Sequence, residues 1–261
     1  MSAQPPNTKA PPSSIPSKPV DILQSQTSQL YANIHPVLLL LLLLATFPSL
    51  VQDPVSTLSG LAPFVAALQA LYCVLCLPYS GHAPATPHKP GQKRKPTRTG
   101  QETWARIVVR YGSHCTERRC TNGRTSQPAF LSLALALIFT TPVLYIIVVL
   151  FGAPLTTHLP HTALLATHLA LLTTPQLFYT HGLDPQTWLW IASLQIPLDE
   201  LYGMSLGACV GSWVGAIPIP LDWDREWQKW PVTIVAGMYA GAVVGKLAGG
   251  YLFKGGKIKI S

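Results

Sequence analysis

Two runs of glycine at four-residue spacing restrict this chain more than any other feature. Gly203, Gly207, Gly211 and Gly215 form the first, and Gly237, Gly241, Gly245 and Gly249 the second. Both runs lie in otherwise apolar segments. In a soluble helix each interior glycine costs about 1 kcal/mol relative to alanine, so such runs would argue against helix. A bilayer reverses that preference. Lipid offers the backbone no water to bond, so an apolar segment of this length has to be helical, and small residues at every fourth position let a neighbouring backbone approach closely. Four residues turn a helix by about 400°, so each ladder winds along one side as a continuous groove. The sequence therefore predicts a glycine-laddered C-terminal hairpin whose grooves face each other or a second protein.

At 48% hydrophobic and only 11% charged residues, the chain falls outside the usual range of soluble domains. The fold class predicted is all-α, a polytopic membrane helix bundle with about six transmembrane helices. Apolar runs place them at about 35–51, 55–77, 128–151, 158–179, 201–217 and 232–253. Residues 1–34, rich in proline, serine, threonine and glutamine, read as a disordered tail. The first span is no cleaved signal peptide, because the polar stretch ahead of it is too long and Phe47-Pro48-Ser49-Leu50 lacks a small-residue cleavage site. Pro63 is expected to kink the second span. Thr140-Thr141-Pro142 and Thr173-Thr174-Pro175 predict kinks in the third and fourth, with threonine re-satisfying carbonyls freed by the missing N–H. Trp188 and Trp190 suggest that residues 181–200 lie at the membrane surface. Asp199 and Glu200 then cap the fifth helix, where carboxylates suit the positive end of the dipole.

The net charge of +8 matters through its placement. Residues 79–127 hold Lys89, Lys93, Arg94, Lys95, Arg98, Arg106, Arg110, Arg118, Arg119 and Arg124 against Glu102 and Glu117. With only Trp104 and Tyr111 interleaved and no glycine-rich phosphate loop, this segment is no nucleic-acid module but a topology signal, with anionic lipid as a further contact. Six spans put both termini on one side. Segments 1–34, 79–127, 182–200 and 254–261 on that side carry 15 of the 18 Lys and Arg, against Arg225 and Lys229 opposite, so both termini are predicted cytosolic. Lys246 lies inside the sixth span and reads either as a functional charge or as a side chain snorkelling to the interface. The tail 254–261 ends Lys257-Ile258-Lys259-Ile260-Ser261, which resembles the K-x-K-x-x dilysine signal for retrieval to the endoplasmic reticulum, with Lys257 and Lys259 as its determinants.

Motifs for chemistry are sparse. Cys73 and Cys76 have C-x-x-C spacing but sit in an apolar span rather than a soluble βαβ unit, and they read as helix surface. His114, Cys115 and Cys120 lack a fourth ligand at zinc-site spacing. His161 and His168 share a face of the fourth helix near His158, which reads as an amphipathic helix start rather than a metal site. No cofactor and no metal are called for.

The turn between the glycine helices gathers Asp222, Asp224 and Glu226 with Arg225 and Lys229, and holds Trp223, Trp227 and Trp230. It reads equally as an aromatic belt with locally paired charges and as a platform for a partner or a glycolipid headgroup, since tryptophan stacks on sugars and carboxylates accept hydroxyl bonds. The segment Gly211 to Thr233, GSWVGAIPIPLDWDREWQKWPVT, with the glycines around it, closely resembles the signature of the phosphatidylinositol-glycan class F (PIG-F) family of endoplasmic reticulum membrane proteins. The PLDWDR-x-WQ-x-WP core at Pro220 to Pro231 carries the likeness. The long basic loop and proline-rich tail look like a fungal version.

What the resemblance implies is a part in glycosylphosphatidylinositol (GPI) anchor assembly. Family members bind and stabilise the large catalytic subunits that transfer ethanolamine phosphate from phosphatidylethanolamine to mannoses of the GPI precursor in the endoplasmic reticulum lumen. On that reading Asp222, Trp223, Asp224, Arg225, Trp227 and Trp230 contact the partner or the glycolipid, the eight glycines pack helices, and the chain is an accessory subunit rather than an enzyme. The residues themselves agree that catalysis by this chain alone is disfavoured. Segments 52–54, 152–160 and 221–231 leave about 23 residues on the lumenal side, too few for a domain with convergent metal ligands. Two alternatives come from other classes. One is an independent phosphotransferase built from Asp53, His158, His161, Asp222 and Asp224. The other is a lipid transporter or scramblase using Lys246 and the kinked helices.

Overall fold

The computed structural model describes residues 18–80, 121–221 and 223–256, with residues 121–125 described by their backbone alone. The tail before residue 18, the basic loop from 81 to 120 with His114, Cys115 and Cys120, Asp222, and the C-terminal Lys257 and Lys259 lie outside the described residues.

Every described element is helical. Helix α1 spans Gln26–Gln52 and α2 Pro54–Cys76. Asp53 makes the sharp turn between them, because its carboxylate caps α2 by accepting the Ser56 N–H at 3.2 Å. Helix α3, Thr121–Leu135, continues through a wide π turn at Ala136–Thr140 into α4, Thr141–Leu150. Helices α5, Leu159–Thr173, and α6, Pro175–His181, are separated at Thr174. A short α7, Pro185–Ala192, precedes the hairpin of α8, Glu200–Ala216, and α9, Val232–Leu247, which ends in a second π turn at Ala248–Leu252.

Among the described residues four helices are long and apolar enough to cross a membrane: Gln26–Gln52, Pro54–Cys76, Ser126–Leu150 and Val232–Leu252. The fourth and fifth segments expected from the sequence are the interrupted α5–α6 pair and the 17-residue α8. Both threonine–proline units mark irregular turns. At the first, Thr141 Oγ1 donates to the Ala136 carbonyl across the π turn, and at the second, Thr174 Oγ1 donates to Ala170 O at 3.0 Å. In both, the carbonyl already accepts the N–H of the same threonine, so the hydroxyl adds a second bond there and does not take the place of the N–H that the following proline lacks, which would have reached Ile138 or Leu171.

Residues 26–34, expected to belong to the tail, are helical. Ser25 caps α1 by accepting the Ser28 N–H, and the Ser28 hydroxyl donates to Leu75 O, so the helix begins nine residues before His35. Residues 20–23 run across the end of the bundle. Val20 N donates to Asp199 Oδ2 at 3.0 Å and Leu23 N to Cys76 O at 2.9 Å, while Lys254 pairs with Asp21 at 2.8 Å. Asp199 works in two places at once, because its other oxygen caps α8 at the Tyr202 N–H.

Two apolar clusters hold the helices together. One joins Leu58, Val65, Leu165, Leu172, Met204, Met238 and Tyr239 along the middle of the bundle. The other joins Tyr72, Cys73, Cys76, Tyr179, Trp190 and Tyr202 at the end where Val20 and Ile22 pack. This second cluster corrects two expectations. Cys73 and Cys76 are buried free thiols rather than helix surface. Trp190 packs inside while Trp188, half-buried, donates to Gly182 O, so α7 folds back onto the bundle rather than presenting both rings to an interface.

Candidate functional site

Among the described residues, the hairpin of α8 and α9 is the most extensive helix pairing. Its geometry shows where the glycine grooves point: they face each other. The antiparallel register sets Gly203 against Gly249, Gly207 against Gly245, Gly211 against Gly241 and Gly215 against Gly237. A Cβ placed on Gly207 would lie 2.7 Å from the Cα of Gly245, and one on Gly211 2.8 Å from the Cα of Gly241. The obstacle in each case is backbone, which cannot rotate away. All eight ladder glycines are consumed within this chain, so the faces left for another protein are the outer ones. Val210, Trp213 and Val214 on α8 and Val244 on α9 are exposed there.

The turn joining the helices is pinned by one side chain. Gln228 Nε2 donates to Pro218 O at 2.8 Å and to Leu221 O at 2.6 Å, and its Oε1 accepts the Arg225 N–H at 3.0 Å. This amide closes the loop, with a short 3₁₀ turn at Glu226–Gln228 as its floor. Around it the predicted contact residues separate into two sets. Trp223, Asp224 and Arg225 are exposed, and Trp223 rests its ring 5.7 Å from that of Trp227. Trp227 and Trp230 are half-buried, and Trp230 leans on the central apolar cluster just before the cis peptide bond to Pro231. Asp224 adopts φ +49°, a left-handed conformation that aspartate tolerates better than most residues. Of the charges expected to pair locally, Lys229 and Glu226 form an ion pair.

Of the polar residues on the neighbouring connections, Asp53 is occupied as the cap of α2, and His158 bonds Thr157 at 3.0 Å with its ring 5.2 Å from that of His161. His168 does not join them. It is fully buried, with Nδ1 2.7 Å from the Tyr239 hydroxyl and Nε2 3.0 Å from Leu58 O, so it ties α2, α5 and α9 together. Among the described residues no three His, Cys, Asp or Glu side chains stand close enough to share a metal ion.

Lys246 does not snorkel. It is 3% exposed, donates to Ala32 O at 2.9 Å and lies 4.0 Å from the centre of the Tyr72 ring, on which His35 also stacks at 4.6 Å. The carbonyl and the ring together replace part of the hydration that an ammonium loses on burial. Sequence reasoning singles out Lys246 but misses its partners, and it misses Gln228 and Tyr239 altogether. The long separations explain this, since nothing local to residue 246 points to Ala32 or Tyr72.

The chain matches the model of the GPI biosynthesis protein family Pig-F over residues 34–250. It is 42% identical over 243 residues to the glycosylphosphatidylinositol anchor biosynthesis protein 11 of Neurospora crassa, covering 92% of this chain and 81% of that one. The protein of the same name from Aspergillus fumigatus is 41% identical over 250 residues, with 91% and 84% covered. That from Saccharomyces cerevisiae is 39% identical over 107 residues, 41% of this chain and 44% of its own. No solved structure matches. The chain belongs to the Pig-F family of GPI biosynthesis proteins.

Proposed function

We propose that this protein is a non-catalytic subunit of the endoplasmic reticulum membrane that binds and stabilises the GPI ethanolamine-phosphate transferases. In that role it supports addition of ethanolamine phosphate to mannoses of the GPI precursor in the lumen. The observation that carries the reading is the construction of the α8–α9 turn. Trp223, Asp224 and Arg225 project from a loop that Gln228 locks, on a hairpin whose backbones are interlocked. A rigid, protruding aromatic and charged tip suits recognition, because little conformational freedom is left to lose on binding. The relatives' names, all of GPI anchor biosynthesis, give the pathway.

The acids and histidines near that tip support binding over chemistry. Asp53 is spent on a helix cap and His158 on a neighbouring threonine, whereas phosphoryl transfer wants several ligands converging on one point. In this reading both termini face the cytosol and the turn faces the lumen, as the basic residues of the sequence suggest. Depleting the protein should lower the steady-state amount of the transferase subunits, measured by quantitative mass spectrometry against other resident membrane proteins. Unchanged transferase levels would overturn the stabilising role.

A further inference from the structure

At the end of the bundle where residues 18–25 and 254–256 lie, a cleft of about 240 Å³ opens between the start of α1, the first turn of α8 and the π turn that ends α9. Val20 and Ile22 of the strapped N-terminal segment form one wall, and Ala32, Asn33 and Tyr251 line it from the two long apolar helices. Ala32 and Asn33 sit within about two turns of the start of α1, so the cleft lies at headgroup depth rather than in the hydrocarbon. The α9 span and its π turn, 21 residues long, separate this cleft from the tryptophan-bearing turn by roughly 30 Å.

Its polar groups are arranged as a dipole. The Glu200 side chain lies against Gly250, where an added Cβ would be 2.5 Å from Cγ and 3.2 Å from Oε1, so only glycine leaves that side chain its place on the cleft wall. Lys246 stands within electrostatic reach of it from inside the bundle and Lys254 from the rim. The Lys254 ammonium uses one of its three donors on Asp21 at 2.8 Å and has others to offer. Gln24 and Asn33 line the cleft, their amide oxygens accepting at 3.2 Å from Gln29 and from the Tyr251 hydroxyl, and each oxygen has a second lone pair.

We propose that this cleft holds the headgroup of a membrane phospholipid bearing a primary amine, with its ammonium on Glu200 and its phosphate on Lys254. Three features select that class. A carboxylate that shares its cleft with amide side chains wants N–H donors, which a primary ammonium has and a quaternary one lacks. A quaternary ammonium instead wants a cage of aromatic faces, and Tyr251 is the one ring lining the cleft among the described residues. An anionic headgroup without an amine could use Lys254 but would leave Glu200 without a donor and facing a second negative charge. The acyl chains have a path, since Leu30, Ile34 and Val37 are exposed on the face of α1 one residue beyond Gln29 and Asn33. The site does not depend on the turn or on a transferase, and either proposal can fail without the other.

The test is native mass spectrometry of the full-length protein released from nanodiscs containing equal parts phosphatidylethanolamine, phosphatidylcholine and phosphatidylglycerol. One amine lipid should be retained per chain, with a preference of about tenfold, in keeping with one charge-assisted hydrogen bond. Glu200→Gln and Lys254→Gln should each lower retention by about the same factor, while Glu226→Gln in the distant turn should leave it unchanged. Equal retention of the three lipids, or retention indifferent to both cleft substitutions, would overturn the site. Should Glu200→Gln fail to fold, a photoactivatable amine lipid on the unaltered protein gives the answer. Crosslinks within residues 20–33 and 250–256 support the cleft, and crosslinks confined to other segments refute it.

Discussion

Gly207 and Gly245 stand back to back, so that a Cβ added to either would lie 2.7 Å from the Cα of the other. No side-chain rearrangement relieves such a contact, and the two helices would have to separate along their length. Gly207→Leu and Gly245→Leu should therefore abolish stable folding, and alanine at either position should cost more than the 1–3 kcal/mol typical of overpacking, about 3 kcal/mol or beyond. Gly60 on α2 has nothing within 4 Å of its added Cβ. Gly60→Ala should be neutral or stabilising by about 0.5 kcal/mol, because alanine is the better helix former. Thermal unfolding in detergent, followed by tryptophan fluorescence, checks both.

The bond between His168 and Tyr239 makes a second prediction. Tyr239→Phe removes the hydroxyl at 2.7 Å from Nδ1 and leaves a fully buried ring nitrogen without its partner, for a loss of about 1–3 kcal/mol. His168→Leu removes both ring nitrogens, after which Tyr239→Phe should cost much less. A double-mutant cycle on the same unfolding assay should give a coupling of about 1 kcal/mol. A coupling near zero would mean that the pair is not bonded in the membrane.

Lys246 is held from three helices, through Ala32 O on α1, the Tyr72 ring on α2 and its own place on α9. Lys246→Met keeps the volume but leaves the buried Ala32 carbonyl without its donor and Glu200 with one neighbouring cation fewer, and should destabilise by about 1–3 kcal/mol. Lys246→Glu would aim a carboxylate at the Ala32 carbonyl and bring it beside Glu200, and should destabilise by about 3 kcal/mol or more. Expression level and detergent-solubilised yield rank the variants. A tolerated glutamate would contradict the buried position.

The strap over the terminal end rests on Asp199 and on the Lys254–Asp21 pair. Asp199→Ala removes an α8 cap and the Val20 contact together, with the cap alone worth about 1 kcal/mol. Protease cleavage within residues 18–25 should accelerate while the hairpin stays intact. The bond from Asp21 holds the Lys254 amine above its ordinary value. A raised amine stabilises the folded form fully below its unfolded value, and that contribution disappears as pH rises through the folded one. Cleavage of the strap should therefore be constant through neutral pH and rise only under strongly alkaline conditions, and Lys254→Gln should remove that rise.

In the turn, Gln228→Ala deletes three hydrogen bonds that close the loop, while Trp223→Ala removes an exposed ring and leaves the loop closed. Both should weaken association with the transferase subunits in co-purification, the first by loosening the tip and the second by removing a contact. Hydrogen exchange of residues 218–229 separates them, since it should rise for Gln228→Ala alone. Wild-type recovery of the companion with both variants would remove the turn from the binding surface.

What the sequence makes legible follows the range of each interaction. The glycine positions announce close packing, because four-residue periodicity is a property of one helix, and an antiparallel hairpin between equal ladders then suffices to align Gly207 with Gly245. The threonine–proline units announce irregular turns for the same local reason. Lys246 is conspicuous as a charge in an apolar run, but its burial depends on Ala32, 214 positions away, and no local pattern distinguishes that from snorkelling. His168 groups with His161 by helical face, and only Tyr239 and Leu58 from other helices show that it belongs to the core. The early start of α1 is masked by a leucine run that draws the boundary to the most apolar stretch, although Ser25 is a recognisable cap.

The central claim is that this chain serves a transferase rather than being one. Its most direct test is purification of the tagged protein in a mild detergent, with stoichiometric companions identified by mass spectrometry and ethanolamine-phosphate transfer assayed with and without them. A large companion that carries the activity, and a lone chain without any, is the predicted result. Metal-dependent transfer by the lone chain would contradict it and make this protein an enzyme, and the absence of both companion and activity would favour lipid movement across the bilayer instead.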